Sequence, residues 1–124
     1  MINSLFSAAL LALSVQSAPD GHSRPLAAKM TQEQAAMLRC SAAFALVSYG
    51  QANGDEAART WPVIDPRGRE FFVRSLAKII DDTGLTRDQV SQLAEAEAQR
   101  LIDENQLDSV MPGCLLMLDA SGVE

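Results

Sequence analysis

Apolar residues recur along this chain at helical spacing, broken by short punctuating segments, and no stretch shows the two-residue alternation of a strand. The clearest start is Thr31, with Gln34 three residues on. A threonine hydroxyl and a glutamine amide at that spacing satisfy free amides of a first helical turn. The pattern predicts a helix from Thr31 to about Tyr49, closing near Gly50 or Gly54, where glycine permits a left-handed exit. Cys40, Ala43, Phe44 and Val47 fall on one side of it; Leu38, Ala42, Ala45 and Tyr49 fall on the other. A helix apolar on both sides belongs in the middle of a bundle.

The connection from Asp55 to Ile64 reads as a turn, helical through Ala57 and Ala58 and closed by Trp61 and Pro62. Asp65 as N-cap and Pro66 at the first helical position then predict a helix to about Asp82, stopped at Gly84. Its core face is Phe72, Leu76, Ile79 and Ile80, and its other side carries Arg67, Glu70, Arg74, Lys78 and Asp81. Thr86 and Gln89 repeat the capping-box spacing and start a third long helix, ending near Asn105, with Val90, Leu93, Ala94, Ala98 and Leu101 inward. In the last apolar stretch, Val110 to Leu118, Pro112 suits a first helical turn, so a short helix is expected from about Pro112 to Asp119, ended by Ser121 and Gly122. The expected fold class is all-α: a small helical bundle of three long helices and one or two short ones.

The first segment changes the picture of where this bundle lives. Met1 to Ser17 carries no charged side chain and holds an apolar run, Leu5 to Val15, too short to span a bilayer. Val15, Gln16 and Ser17 give the small-residue pattern that signal peptidase cuts after, although Met1 to Ser4 lacks the usual Lys or Arg. Residues 1–17 therefore read as a signal peptide, with a mature start near Ala18. Residues 18–29, rich in Pro, Gly and Ser, read as a flexible tail, and residues 30–124 as one helical domain. The expected localisation is periplasmic or secreted, without stable membrane insertion after cleavage. The only histidine, His22, lies in the tail and receives no role.

Two cysteines in an exported chain have access to an oxidising compartment, so Cys40 and Cys114 are expected to form a disulfide. Two buried free thiols or an intermolecular link are the alternatives. Closing a loop of more than seventy residues would contribute roughly 4 kcal/mol in the chain-entropy model. The spacing is not that of a CxxC redox motif, and one histidine is too few for a zinc site built on these thiols.

Sixteen acids stand against ten bases, a net charge of -6, which disfavours nucleic acid and anionic lipid as partners. The sequence offers no glycine-rich phosphate loop and no serine or cysteine with a histidine that a folded core would hold. Asp81 and Asp82 supply too few oxygens for calcium, so no metal and no cofactor is expected. Two residues break their patterns. Glu97 falls between Val90, Leu93 and Leu101 on the inward side, where a carboxylate needs a partner; a pair with Arg39 or Arg69 is expected, with ligand-binding or acid/base work, or simple exposure, as alternatives. Phe71 projects among the charges of its helix. Either Trp61 folds back over it, or it forms with Arg67, Arg74 and Lys78 an aromatic and cationic patch for an acidic partner.

The strings RGREFFVR from Arg67 to Arg74, TGLTRDQ from Thr83 to Gln89, and MPGCLLML from Met111 to Leu118 resemble a group of small exported bacterial helical proteins that carry one cysteine pair and no assigned activity. The resemblance runs from about Leu38 to Ala120 and implies an envelope location and a paired-cysteine helical fold, with no catalytic residues. The function expected is that of a non-catalytic envelope protein acting by interaction with another envelope protein, of stress-accessory, inhibitor or immunity type. Carriage of a small apolar ligand inside the bundle is the second reading, and an enzyme of undefined type the third.

Overall fold

The computed structural model describes residues 23–124. The expected signal peptide, the cleavage point near Ala18 and His22 lie outside the described residues. Six helices follow in order: α1 Ser23–Ala27, α2 Gln32–Ala52, α3 Glu56–Arg59, α4 Arg67–Thr83, α5 Arg87–Asp103 and α6 Leu107–Ala120. The fold is all-α, a small bundle closed by a disulfide between Cys40 and Cys114.

Both capping boxes form. The Gln34 amide donates to Thr31 Oγ1 at 3.1 Å while the Thr31 amide donates to Gln34 Oε1 at 2.9 Å. Thr86 and Gln89 repeat the exchange at 3.1 and 3.0 Å. These local bonds set the starts of α2 and α5 whatever packs around them. Gly84 ends α4 in the left-handed region, at φ +73°.

α2 is the central element, packed against α3, α4, α5 and α6. Two apolar clusters form around it. One joins Phe44 and Val47 to Ile64, Phe71, Leu101, Met111 and Leu118; the other joins Leu38 to Leu76, Ile79, Leu85, Val90 and Leu93. α4 serves both clusters, and this corrects the predicted core face. Phe71 is 4% exposed and meets Phe44 edge to face at 5.4 Å, whereas Phe72 is only half-buried. Gly68 lies on the same stripe, where a Cβ would overlap Ile64 Cγ2 and crowd Phe44, so its lack of side chain lets α4 lie close to α2.

Four further expectations are corrected. Residues 18–29 read as a tail, yet Ser23–Ala27 is a helical turn packed on α5, because Leu26 and Met30 can rest against the second cluster. Asp65 makes no N-cap bond; its carboxylate faces Arg69 at 3.3 Å and α4 starts without a side-chain cap. α6 begins at Leu107, five residues before Pro112. The proline removes the amide that would have reached the Asp108 carbonyl, a loss the solvent offsets because Asp108 and Pro112 are both exposed. Finally, the second side of α2 is covered only in part: Leu38 and Ala42 are buried as expected, whereas Ala45 and Tyr49 are exposed.

The disulfide bridges α2 and α6 across 74 residues with a Cα separation of 5.1 Å. α6 has other anchors too. Met111 and Leu118 are buried, and the Arg67 guanidinium on α4 donates to the Val123 carbonyl at 3.2 Å and to Asp119 at 3.1 Å.

At the opposite end, Asp82 ties the last turn of α4 to the first of α2. Its carboxylate accepts from Lys78 at 2.9 Å and from the Gln34 side-chain amide at 3.1 Å. The Lys78 bond holds the carboxyl below its usual 3.8, against the opposing pull of burial. A carboxyl lowered by folding stabilises the fold above its unfolded value and loses that contribution as pH falls through the folded one. Asp82→Asn should therefore lower stability near neutral pH, with the gap from wild type closing in acid, as the pH falls below the usual carboxyl range. Urea unfolding at neutral and acid pH checks this; a gap that stayed constant would exclude the charged form as the cause.

Candidate functional site

Glu97 does not stand alone in the core. Its side chain is 19% exposed and sits between two guanidiniums: Arg39 Nε of α2 donates to Oε1 at 3.1 Å, and Arg100 of α5 bonds both carboxylate oxygens. The Arg100 Nε bond to Oε2 is 3.2 Å, and Arg100 reaches Glu104 at 3.3 Å. The hydrogen bond to Glu97 leads in raising the Arg100 pKa. Arg69 takes no part; it is 75% exposed on its side chain and holds Asp65. The inward position of Glu97 is thus served by partners from two helices, one of which, Arg100, the sequence reading did not weigh although it lies at the favourable three-residue step.

This cluster borders a shallow cavity of about 180 Å³ whose apolar wall includes Leu38 and Leu93. Each carboxylate oxygen is already engaged, so the arrangement works as a pin between α2 and α5. Glu97→Gln is expected to cost about 1 kcal/mol, the value of charged hydrogen bonds discounted for the half-exposed arginines. Chemical denaturation measures it, and a loss above about 3 kcal/mol would mean the group is more deeply buried than this geometry allows.

The patch of the alternative reading, Phe71 with Arg67, Arg74 and Lys78, does not exist as a surface. Phe71 is inside, and the ring that meets it is Phe44. Trp61 is held by other bonds: its indole N–H donates to the Asp108 carboxylate of α6 at 3.3 Å. The three cations are each spoken for, Arg67 by Asp119 and Val123, Arg74 by Glu70 at 2.9 Å, and Lys78 by Asp82.

A different surface emerges where α2 is uncovered. A groove runs along Ala45, Ser48 and Ala52 of α2, closed at its inner end by the buried Ser41 and flanked by Phe72 and Arg69 of α4 and by the α3–α4 connection. Its wider end, about 570 Å³, is walled by Tyr49, Trp61 and Val63, with Arg59 at the rim. Tyr49 is 72% and Val63 81% exposed. No family model, curated protein or solved structure matches the chain. The groove must accordingly be interpreted from its own chemistry.

The connection forming one wall is held in place by Gln51, whose side-chain amide donates to the carbonyls of Ala58, Trp61 and Pro62 at 3.1, 3.2 and 2.9 Å and whose Oε1 accepts from the Ile64 amide at 3.2 Å. One side chain thus satisfies four backbone groups of a segment with little regular structure. Nothing in the sequence marked Gln51, because its partners lie up to thirteen residues away in a loop whose path is set by packing. Among the described residues no group of three or more His, Cys, Asp or Glu side chains is placed to hold a metal.

Proposed function

We propose that this chain is an exported envelope protein that works without catalysis, by binding another extracytoplasmic protein through the open side of α2. The observation that carries the reading is the groove itself. The central helix of a small bundle is covered along its first half and left bare on one side of its second, at Ala45, Tyr49 and Ala52, beside an aromatic and aliphatic wall, Tyr49, Trp61 and Val63, whose connecting segment is held by Gln51. Exposed aromatic and aliphatic side chains grouped at a preformed groove are what a partner's anchor residues bury. Export is supported by the apolar segment from Leu5 to Val15 and by a disulfide spanning the fold, and no helix among the described residues is long and apolar enough to cross a membrane. The interior is occupied by Phe44, Ile64, Ile79, Leu101, Met111 and Leu118, which favours a surface site over carriage of a ligand inside the bundle. The binding role is of stress-accessory, inhibitor or immunity type.

Photo-crosslinking tests it. A crosslinking residue at Tyr49 or Val63, in the groove, and at Glu95, on the exposed side of α5, is introduced into the oxidised protein in its native compartment. A discrete adduct from the groove positions alone, abolished by the groove-filling variant Ala45→Trp, is expected. Equal adducts from Glu95, or adducts that survive Ala45→Trp, would overturn the proposal.

A further inference from the structure

We infer that the groove receives an α-helix of the partner, apolar along the contact and bearing carboxylates that meet Arg59 and Arg69. This rests on the reading of the groove as the binding surface and names what fills it. Three observations carry it. The groove offers no sheet edge to an extended backbone: it is built from helices and a loop, with the Ser41 hydroxyl given to the Met37 carbonyl and the Gln51 amide to three loop carbonyls. An occupant must therefore satisfy its own amides and carbonyls, which a helix does internally.

The floor has the shape a helix needs. Ala45, Ser48 and Ala52 repeat at three and four residues, with the fully buried Ser41 closing the inner end, so every side chain on the line of closest approach is small. Small residues at that period bring two helix axes to the short end of the usual separation of about 8–10 Å. From Ala45 to Ala52 the stripe runs about 10 Å, close to the length of two helical turns. The larger side chains, Tyr49, Phe72 and Val63, stand to either side as walls.

Charge selects among helices. In a chain of net charge -6, the charged groups lining the groove are Arg59, Arg69 and Asp65. Arg59 makes no salt bridge among the described residues, and Arg69 shares one exposed contact with Asp65. Two guanidiniums against one carboxylate complement an acidic flank and repel a basic one.

The test uses isotope-labelled, oxidised protein and three synthetic peptides followed by amide shifts. The first is a hydrocarbon-stapled amphipathic helix with alanine and leucine on its apolar face and glutamates flanking it. The second carries lysines in place of the glutamates, and the third is the unstapled glutamate peptide with central prolines. The glutamate helix should move the amides of Ala45, Ser48, Tyr49 and Arg69 and bind about tenfold more tightly than the lysine helix. Arg59→Glu with Arg69→Glu should abolish or invert that preference, and the proline peptide should not bind. Equal binding by the lysine helix, binding by the proline peptide, or groove amides unmoved by all three would each overturn the inference. So would the same shifts on concentrating the protein alone, which would mark a second copy as the occupant. These outcomes leave the groove adducts of the crosslinking experiment intact, whereas loss of those adducts takes down the binding role itself.

Discussion

Reduction of the Cys40–Cys114 bridge is expected to lower the thermal midpoint by about 15 to 30 °C. The bridge closes 74 residues of chain, and in the chain-entropy model a loop of that length removes roughly 4 kcal/mol of freedom from the unfolded state. In a domain of this size each kcal/mol moves the midpoint by about 4–8 °C. Both cysteines are buried, so Cys40→Ala with Cys114→Ala mimics the reduced state without leaving polar groups stranded. The loss should be felt first at α6, whose contacts are with α2 and α4 alone among the stronger helix pairings, while α5 keeps its partners α1, α2 and α4. Amide exchange in the double variant should accelerate in Met111 to Leu118 before Val90 to Leu101. The anchors at Val123 and Asp119 oppose complete release, so α6 should loosen without leaving the bundle. A midpoint within a few degrees of the oxidised protein, or uniform acceleration across all helices, would contradict the clamp.

The second large effect distinguishes two adjacent phenylalanines. Phe71→Ala should cost about 3 to 5 kcal/mol, the usual range for emptying a core aromatic site, because the ring is almost wholly buried against Phe44. Phe72→Ala should cost about 1 to 2 kcal/mol, since that ring already meets water at the edge of the groove. Urea unfolding of the two variants gives the ordering directly. The reverse ordering would restore the rotation of α4 that its charge pattern predicts.

That rotation shows where the sequence stops being informative. Phe71 looks misplaced because Arg67, Glu70 and Arg74 surround it, but α4 packs against α2, α5 and α6, and so buries a stripe too wide for one apolar face. Gly68 and Ser75, which carry no apolar signal, belong to that stripe. Features decided within a few residues were legible. The capping boxes at Thr31 and Thr86 and the glycine stop at Gly84 stand where the spacing put them. The cysteine pair was legible from compartment chemistry.

The groove was not. Ala45, Ser48 and Ala52 are small enough to be tolerated inside or outside, and Tyr49 suits a core with a wet edge as readily as an open face, so periodicity assigns them to a buried side by default. Only the paths of α4 and of the Gln51-held connection reveal that nothing in the described chain covers them. For Glu97, the need for a partner followed from its position, and Arg39 was within the reading; Arg69 was not separable from it by spacing, because which arginine arrives depends on how α2 and α4 are turned.

The central claim, that the open side of α2 is occupied in the protein's working state, has a direct probe in Tyr49, the only tyrosine of the chain. Its ring is largely exposed at the mouth of the groove. Iodination of the purified, oxidised protein should modify Tyr49 rapidly, and the same treatment of the protein in its native compartment should leave it largely protected, with Ala45→Trp restoring reactivity there. Equal reactivity of Tyr49 in both settings would contradict the account.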